Sequence, residues 1–261
     1  MCGIAGIISP NLSAATRAAA VGRMGDAMLH RGPDDGGLDT DGPATIGMRR
    51  LAIFDPANGH QPMVTPDGRY RIVFNGAIYN FAALKAELAG RGYSFRTQCD
   101  TEVLLAAFAA WGKGCLPRLR GMFAFAVWDR TEQSLFLARD PFGIKPLYFH
   151  EKPQDGLVFA SEINALLASG ECPADPDPVA VADYLSWFAV PAPRTLYRGI
   201  RSLRPGECAH WRGGHLTVAA YWSFAERRTD DPVCATPEEF THELRSRLED
   251  TAVIPRNPGH L

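Results

Sequence analysis

The sequence lacks the patterns that mark a metal site, a membrane span or a nucleic-acid-binding surface. Its six cysteines are scattered and form no Cys-x-x-Cys pair, which argues against a zinc site and against a disulfide framework. The apolar N-terminal run has no basic segment before it and is broken by Asn11 and Arg17, so we expect neither a signal peptide nor a transmembrane helix. The formal net charge of -2 is unlike the basic surface of a nucleic-acid-binding protein. We therefore expect a protein of the reducing cytoplasm that binds a small polar or zwitterionic molecule, with no membrane or nucleic acid as partner.

What the sequence does contain is a dense series of short β-type runs. The 261 residues, 46% of them hydrophobic, are enough to bury one large core or two modest ones. Three helical segments, over residues 14–29, 81–91 and 101–111, interrupt the series without alternating strictly with it. This order predicts an α+β fold of packed layers and not a doubly wound sheet. The predicted strands cover residues 4–8, 45–53, 71–75, 122–129, 134–139, 147–150 and 157–160.

The composition changes just after residue 170, where Gly, Pro, Cys and acidic residues gather. We therefore divide the chain into a first domain over residues 2–170, a linker with a small strand-and-turn extension over 171–235, and a last segment over 236–261. Within the extension, residues 179–188 predict a helix and residues 199–222 predict short strands.

The last segment predicts an amphipathic helix. Thr236 is placed to cap it, and Glu239 stands at the capping-box position. Its apolar residues recur at every fourth position and so form a stripe on one face. The stripe consists of Phe240, Leu244 and Leu248. Such a stripe predicts a packing partner.

Cys2 is a candidate nucleophile because it directly follows Met1. Removal of Met1 would leave a thiol and an α-amino group on the same residue. An α-amine ordinarily titrates at about 7.7–8.0 and a thiol at about 8.5, so the amine can accept the thiol proton near neutral pH without a histidine. By itself this signal is weak, because a cysteine at position 2 is usually an ordinary terminal residue. The chain must also supply groups that bind a substrate.

Six short motifs occur in order along the chain, and together they are far more specific than any one of them. They are residues 1–6 (MCGIAG), 30–34 (HRGPD), 50–53 (RLAI), 75–80 (NGAIYN), 100–102 (DTE) and 139–148 (RDPFGIKPLY). This set resembles the class II glutaminase domain of glutamine-dependent asparagine synthetases, closely over residues 2–170 and more weakly as far as residue 252. The resemblance implies a four-layer αββα sandwich of two antiparallel sheets, of the N-terminal-nucleophile type, with a short C-terminal appendix. It also implies that Cys2 is the catalytic nucleophile.

The resemblance further assigns roles to residues that would surround a bound glutamine. Arg50 resembles the family's clamp for the substrate carboxylate, to which a guanidinium offers a bidentate fork. Asp100 resembles the group that pairs with the substrate ammonium. Asn75 and Gly76 resemble the oxyanion hole, whose side-chain amide and backbone N–H face the oxygen that becomes negative. Ala77 stands where the family usually has a glutamate, which removes a carboxylate near the substrate ammonium and bears on substrate affinity.

Structural roles are the alternatives for these residues, and the sequence alone leaves them open. Arg50 could be a surface arginine at a strand end, Asp100 could cap the helix that follows it, and Asn75–Gly76 is also a common hairpin turn. For the loop over residues 30–37, and for Lys145 in its Gly-x-Lys-Pro sequence, a structural role is the interpretation we favour.

By resemblance, we expect glutamine to be hydrolysed to glutamate and ammonia through a γ-glutamyl thioester on Cys2. The family uses the ammonia for ATP-dependent amidation of aspartate in a synthetase domain, and no segment here resembles the pyrophosphate loop of that domain. We therefore expect no cofactor and no metal for the glutaminase reaction, with ATP and Mg²⁺ belonging to the missing synthetase domain. Residues 236–261 resemble the first helix of that domain, cut off. The expected partners are L-glutamine and either a synthetase subunit or a second copy in a homodimer.

Two other functions stay open. One is a non-catalytic or truncated glutaminase-like subunit that docks on a synthetase through the stripe of Phe240, Leu244 and Leu248. The other is an amidotransferase that feeds phosphoribosyl or hexose-phosphate chemistry and shares the Cys-Gly-Ile start. The Arg-Gly-Pro-Asp-Asp and Asn-Gly-x-Ile-Tyr-Asn motifs favour the asparagine-type branch by resemblance.

Overall fold

Two six-stranded antiparallel sheets carry most of the structure. The computed structural model describes residues 1–52, 55, 57–153, 155–227 and 236–252. The chain divides into two compact units, Met1–Trp222 and Ser223–Leu261. In chain order, the elements are β1 (Gly3–Ile8), α1 (Ala14–Ala27), β2 (Asp35–Asp41), β3 (Ala44–Arg50), β4 (Met63–Val64), β5 (Tyr70–Ile78), α2 (Phe81–Ala89), α3 (Asp100–Trp111), a 3-10 helix (Gly112–Arg118), β6 (Gly121–Asp129), β7 (Ser134–Arg139), β8 (Tyr148–Lys152), β9 (Gly156–Ala160), α4 (Ile163–Ala168), α5 (Pro178–Trp187), β10 (Ile200–Ser202), β11 (Glu207–Arg212), β12 (His215–Ala220), α6 (Phe224–Arg227) and α7 (Pro237–Ala252).

The strands form sheet A, in the order β10-β8-β9-β1-β3-β2, and sheet B, in the order β12-β11-β7-β6-β5-β4. Neighbouring strands in both sheets are antiparallel. One core lies between the sheets and takes side chains from both, among them Ile4, Met48 and Trp128. A second core joins α1 and α4 to sheet A, and a third joins α2 and α3 to sheet B. These layers confirm the predicted α+β sandwich of two antiparallel sheets.

β1 lies in the interior of sheet A, between β3 and β9. All six of its residues are buried. Because successive side chains of a strand point to opposite faces, Ile4 and Ile8 both enter the core between the sheets. Gly3 pairs with Arg49 near the end of β3. Continued by one residue, this register places Cys2 beside Arg50, the last residue of β3, and next to Leu51.

The Asn75–Gly76 pair lies inside β5 and not in a hairpin turn. Asn75 is opposite Ala124, and Gly76 is opposite Phe123, both in β6. A Cβ atom on Gly76 would lie 2.2 Å from the Met122 carbonyl oxygen, so only glycine fits at this point of the sheet. The turn alternative is therefore wrong for these two residues.

The predicted loop over residues 30–37 is only partly a loop. From Asp35 onward the chain is already in β2, which pairs with β3 along its whole length. Glycine and aspartate are poor strand formers, which is why the sequence favours a turn here. A Cβ atom on Gly37 would lie 2.3 Å from the Gln61 carbonyl oxygen. The glycine therefore lets β2 approach the chain segment that precedes β4.

The other differences from prediction lie at element ends and in short elements. The strand predicted over residues 45–53 ends at Arg50, and residue 53 lies outside the described residues. α1 ends at Ala27 and α2 at Ala89, two residues before their predicted ends. β4, α4 and the 3-10 helix have no counterpart in the prediction, because each is too short to give a clear periodic pattern.

The predicted strand-and-turn extension contributes to both sheets. β10 pairs with β8 in sheet A, while β11 pairs with β7 and β12 pairs with β11 in sheet B. The first compact unit therefore continues past residue 170 and ends at Trp222. Residues 228–235 and 253–261 of the predicted segments lie outside the described residues. The three-part division of the chain stays a prediction.

In the second unit, α7 begins with the predicted capping box. Thr236 Oγ1 accepts a hydrogen bond from the Glu239 N–H at 3.2 Å, and Glu239 Oε2 accepts one from the Thr236 N–H at 3.1 Å. The stripe formed by Phe240, Leu244 and Leu248 is exposed. No helix within the described ranges combines the length and the hydropathy needed to cross a membrane.

Candidate active site

All six predicted site residues line one cleft of about 210 Å³. Cys2 and Arg50 reach it from the ends of β1 and β3 in sheet A. β5 of sheet B contributes three consecutive residues from Asn75 to Ala77, and Asp100 reaches the cleft from the start of α3. The structure thus brings together residues that are separated by up to 98 positions in the sequence.

A larger cavity of about 600 Å³ lies beside α3 and is lined by Tyr70, Tyr93 and Leu105, among others. None of the six predicted site residues lines it. We place the active site in the smaller cleft, because a thiol, a guanidinium and a carboxylate converge there.

Cys2 is held through both its backbone and its side chain. Arg31 Nε donates to the Cys2 carbonyl oxygen at 2.9 Å. The Leu51 N–H donates to Cys2 Sγ at 3.4 Å, and the thiol donates to the Leu51 carbonyl oxygen at 3.7 Å. None of these contacts uses Met1, whose side chain is exposed. The thiol is therefore oriented by residues that would remain in place once Met1 is removed.

Asn75 brings a buried side-chain amide to the cleft. The residue is buried, and its Nδ2 makes no hydrogen bond with any part of the chain that the structure describes. A buried donor without a partner costs about 1–3 kcal/mol, so such a group in a folded protein calls for an explanation. Gly76 follows it in β5 and brings a backbone N–H without a side chain. An unpaired amide in the same cleft as a thiol is what an oxyanion hole requires.

Arg50 is a buried cation at the end of β3. Its Nη2 donates to the Asp55 carbonyl oxygen at 2.9 Å. A Cβ atom on Gly59 would lie 2.1 Å from the same nitrogen, so the glycine leaves room for the guanidinium. Its burial rules out the alternative of an ordinary surface arginine. A guanidinium in this position can bind a carboxylate through two parallel hydrogen bonds.

Asp100 is a buried carboxylate that forms no salt bridge with any of the described residues. Its Oδ2 accepts a hydrogen bond from the Ile78 N–H at 3.0 Å, and its Oδ1 accepts one from the Cys99 thiol at 3.6 Å. Burial raises the pKa of Asp100, and the hydrogen bond from Ile78 opposes this shift. The capping alternative is wrong, because Cys99 is the N-cap of α3 and Asp100 is its first residue. A buried carboxylate of this kind is stabilised when an ammonium pairs with it.

Ala77 is buried in β5 opposite Met122. Asp100 is therefore the one carboxylate among the described residues that line the cleft. A ligand ammonium would find a single counter-charge there. The effect of Ala77 on substrate affinity stays a prediction.

Gln61 and Lys145 also line the cleft, although the sequence did not assign them to it. Gln61 is buried and links two elements, since its Nε2 donates to Thr101 Oγ1 at 3.2 Å and its Oε1 accepts from the Phe74 N–H at 2.7 Å. No sequence signal marks Gln61, because its partners are distant along the chain. Lys145 is also buried and lines the cleft, although the sequence favoured a structural role. The motif over residues 139–148 contains Lys145, and this is the sequence signal from which its place in the cleft could have been predicted.

The charged groups of the cleft suit an amino-acid ligand. They are a guanidinium, a carboxylate and an ammonium. Among the residues that the structure describes, no three His, Cys, Asp or Glu side chains gather closely enough to hold a metal ion. That the glutaminase reaction uses no metal and no cofactor stays a prediction, as does the assignment of ATP and Mg²⁺ to a synthetase domain.

Comparison with known proteins identifies the family to which the chain is similar. A family model described as a glutamine amidotransferase domain matches residues 1–222. Glutamine-hydrolyzing asparagine synthetase 1 of Bacillus subtilis (strain 168) is 37% identical over 97% of this chain. Glutamine-hydrolyzing asparagine synthetase B of Escherichia coli (strain K12) is 36% identical over 64% of it. The matched region spans 40% of the first relative and 30% of the second.

A solved structure with a similar fold is the glutamine phosphoribosylpyrophosphate amidotransferase of Bacillus subtilis in complex with ADP and GMP. The match covers 85% of this chain and 49% of that one, with a TM-score of 0.61 and 22% sequence identity. At this level of identity the similarity concerns the fold alone. It agrees with the sandwich of two antiparallel sheets described above.

Proposed function

The chain belongs to the glutamine amidotransferase domain family, as its motifs predict, and from this membership we propose that it hydrolyses glutamine to glutamate and ammonia at the cleft around Cys2. The proposal depends on one observation: four groups that complement a glutamine molecule line a single cleft of about 210 Å³. They are the thiol of Cys2, the unpaired amide of Asn75, the guanidinium of Arg50 and the carboxylate of Asp100. Each matches one part of a glutamine molecule.

The charged pair of residues supports the binding of a free amino acid. Arg50 would take the α-carboxylate of glutamine in a bidentate contact. Asp100 would take the α-ammonium, which would supply the cation that its buried carboxylate lacks among the described residues. With both ends of the amino acid fixed, the side-chain amide would be directed towards Cys2.

Attack by the thiol requires that Met1 has been removed. The α-amine of Cys2 then accepts the thiol proton, and Sγ forms a bond to the carbon of the glutamine side-chain amide. The π electrons of the carbonyl move to its oxygen. Asn75 Nδ2 and the Gly76 N–H donate to this oxyanion and so stabilise the tetrahedral intermediate.

Collapse of the intermediate releases the first product. The carbon–nitrogen bond breaks, the α-ammonium of Cys2 returns its proton to the departing nitrogen, and ammonia leaves. The substrate remains as a γ-glutamyl thioester on Cys2. Water then adds to the thioester with the α-amine again as base, and glutamate leaves as the thiol is regained.

The names of the relatives bear on the fate of the ammonia. Both are glutamine-hydrolyzing asparagine synthetases, and the matched region spans 40% and 30% of their lengths. The ammonia released at Cys2 would accordingly serve the ATP-dependent amidation of aspartate by a synthetase domain or subunit. ATP and Mg²⁺ would bind there and not in the cleft.

An apolar surface at the end of α5 fits the docking of such a synthetase. Leu185, Trp187 and Phe188 are 72%, 74% and 84% exposed and lie within four positions of the chain, and large exposed apolar side chains are candidates for a protein interface. We expect Trp187→Glu to weaken co-elution with the separately expressed synthetase region of the Bacillus subtilis relative, as measured by size-exclusion chromatography with light scattering. Phe240→Glu on α7 is the matched control. If that variant alone lost co-elution, docking would belong to the α7 stripe, and unchanged co-elution of both variants would contradict docking at either surface.

An assay of glutamine hydrolysis tests the proposed function directly. Purified protein whose loss of Met1 has been verified by mass spectrometry should release glutamate and ammonia from L-glutamine in equal amounts. A form with one additional residue before Cys2 keeps the thiol but has no α-amine on it, so it should release far less. Processed, folded protein that released no glutamate would refute the proposal.

The same assay should depend on pH through Asp100. Because burial raises the pKa of Asp100, its carboxylate takes up a proton at a higher pH than an ordinary aspartate does. The neutral carboxyl group pairs poorly with the substrate ammonium, so we expect the KM for glutamine to rise as the pH falls. Asp100→Asn should have a high KM throughout and should lose this dependence, without a lower unfolding temperature. A wild-type KM that stayed constant across the acid range would argue against this role of Asp100.

A further inference from the structure

Lys145 follows β7 in a loop that is organised around a buried carboxylate. Asp140 accepts hydrogen bonds from the N–H groups of Phe142 at 3.1 Å, Ile144 at 3.0 Å and Lys145 at 3.0 Å. These bonds fix the backbone that carries the lysine. Its side chain is buried and lines the same cleft as Cys2. The loop therefore holds an ammonium group in the wall of the proposed active site.

The ammonium of Lys145 has no salt bridge and no hydrogen bond to any described residue. Burial lowers the pKa of Lys145 and the charge of Arg31 lowers it further, whereas Cys2 and Asp140 raise it. A thiolate on Cys2 would therefore favour the charged form of Lys145. The interaction is reciprocal, because a cation that is favoured by a thiolate favours that thiolate equally.

Three other charged groups lie around Cys2. Two of them, Arg31 and Arg50, are cations that already donate hydrogen bonds, and the third, Asp100, is an anion. Arg31, in the segment after α1, donates to Glu162 Oε1 at 2.9 Å as well as to the Cys2 carbonyl oxygen. Arg50, at the end of β3, donates to a backbone carbonyl. Asp100, at the start of α3, would oppose a thiolate. Among the described charged side chains that line the cleft, Lys145 is consequently the cation without a salt bridge or a hydrogen bond of its own.

We propose that Lys145 is a positioning residue of the glutaminase site, whose ammonium stabilises the thiolate of Cys2 and so makes it available for attack. The inference rests on the proposed function in taking Cys2 as the nucleophile. The sulfur of Cys2 would also give this buried ammonium an anionic partner besides Asp140, with which the ammonium forms no salt bridge. The anion is the sulfur that appears when the thiol gives its proton to the α-amine.

The rate of Cys2 alkylation by iodoacetamide, measured against pH, tests this inference without glutamine. A cation close to a thiol favours its ionised form, by about one unit or more in a strong case, so alkylation of Lys145→Met should be about tenfold slower than that of the wild type near neutral pH. The two rates should converge at strongly alkaline pH, where the thiol is ionised in both proteins. Lys145→Arg keeps the charge and should stay close to the wild type.

The measurement can be made specific for Cys2. Burial raises the pKa of Cys99 to about 11 and that of Cys172 to about 11, and it also raises the pKa values of Cys115 and Cys208, so these thiols stay protonated near neutral pH. Peptide mapping by mass spectrometry identifies the modified residue and separates Cys2 from Cys234, which lies outside the described residues.

Equal alkylation rates for folded Lys145→Met and the wild type near neutral pH would overturn the inference, and so would a folded Lys145→Arg that is as slow as Lys145→Met. If Lys145→Met does not unfold cooperatively, Lys145→Gln takes its place in the same comparison. The two hypotheses can fail separately. Lysine-dependent alkylation in a protein that releases no glutamate would refute only the proposed function, whereas active protein whose Cys2 reacts independently of Lys145 would refute only this inference.

Discussion

Replacement of Cys2 by alanine is expected to abolish glutamate release while the protein stays folded. The substitution removes the sulfur that would form the thioester, and neither the α-amine nor water in the cleft replaces a positioned thiol. The side chain is partly exposed at the edge of the core, so its loss should change the unfolding temperature little. Glutamine should still bind, because Arg50 and Asp100 are untouched, and isothermal titration calorimetry can measure this binding.

Cys99 provides the matched control for this experiment, because its residue lines the same cleft. Its thiol donates to Asp100 and to Thr101 Oγ1, and burial raises its pKa to about 11. It should therefore not act as a nucleophile near neutral pH, and Cys99→Ala should lose far less activity than Cys2→Ala. Residual turnover in Cys2→Ala, or its complete loss in Cys99→Ala, would mean that the nucleophile has been assigned wrongly.

Asn75→Ala is expected to lower kcat by about 100-fold to 1000-fold, which is the usual cost of one oxyanion-hole donor. The amide would act on an oxygen that becomes negative only after attack, so the KM for glutamine should change little. Steady-state kinetics with separate kcat and KM values measure the two effects. A variant that lowered kcat and raised KM together would instead indicate that Asn75 holds the bound substrate.

Protein stability distinguishes this role of Asn75 from a structural one. The Nδ2 of the wild-type residue has no partner within the described structure. Replacement of Asn75 by alanine therefore removes an unsatisfied buried donor without breaking a hydrogen bond that this nitrogen makes. Asn75→Ala should therefore unfold near the wild-type temperature in thermal denaturation. A large fall in that temperature, with activity lost in proportion, would show that the residue supports the fold.

The residues of the site that could be predicted are those whose chemistry is visible in a short stretch of sequence. Cys2 would carry a thiol and a terminal amine once Met1 is removed, although this signal is weak by itself. The roles of Asn75 and Gly76 came from resemblance, which their adjacent side-chain and backbone donors support. Arg50 and Asp100 came from resemblance, because no local pattern distinguishes a substrate-binding charge from a surface charge or a helix cap. What separates those alternatives is burial, which depends on how the two sheets pack.

The features that escaped prediction depend on contacts between distant segments. β2 is built from residues with low strand propensity and exists because β3 pairs with it along its length. Gln61 joins Thr101 to Phe74, and neither partner is near it in the sequence. Lys145 was recognised as part of a motif, but its nearness to Cys2 follows from the fold of the loop around Asp140. Periodicity and turn signals report none of these pairings.

The position of β1 inside sheet A has a consequence for inactivation by heat. An interior strand that is hydrogen-bonded on both edges and buried on both faces opens only when the whole cooperative unit opens. Chain ends ordinarily fray at little cost, but Cys2 directly precedes such a strand. Displacement of Cys2 by heat and global melting of the sandwich should thus be a single event, with no cooler stage at which an intact fold carries a displaced Cys2.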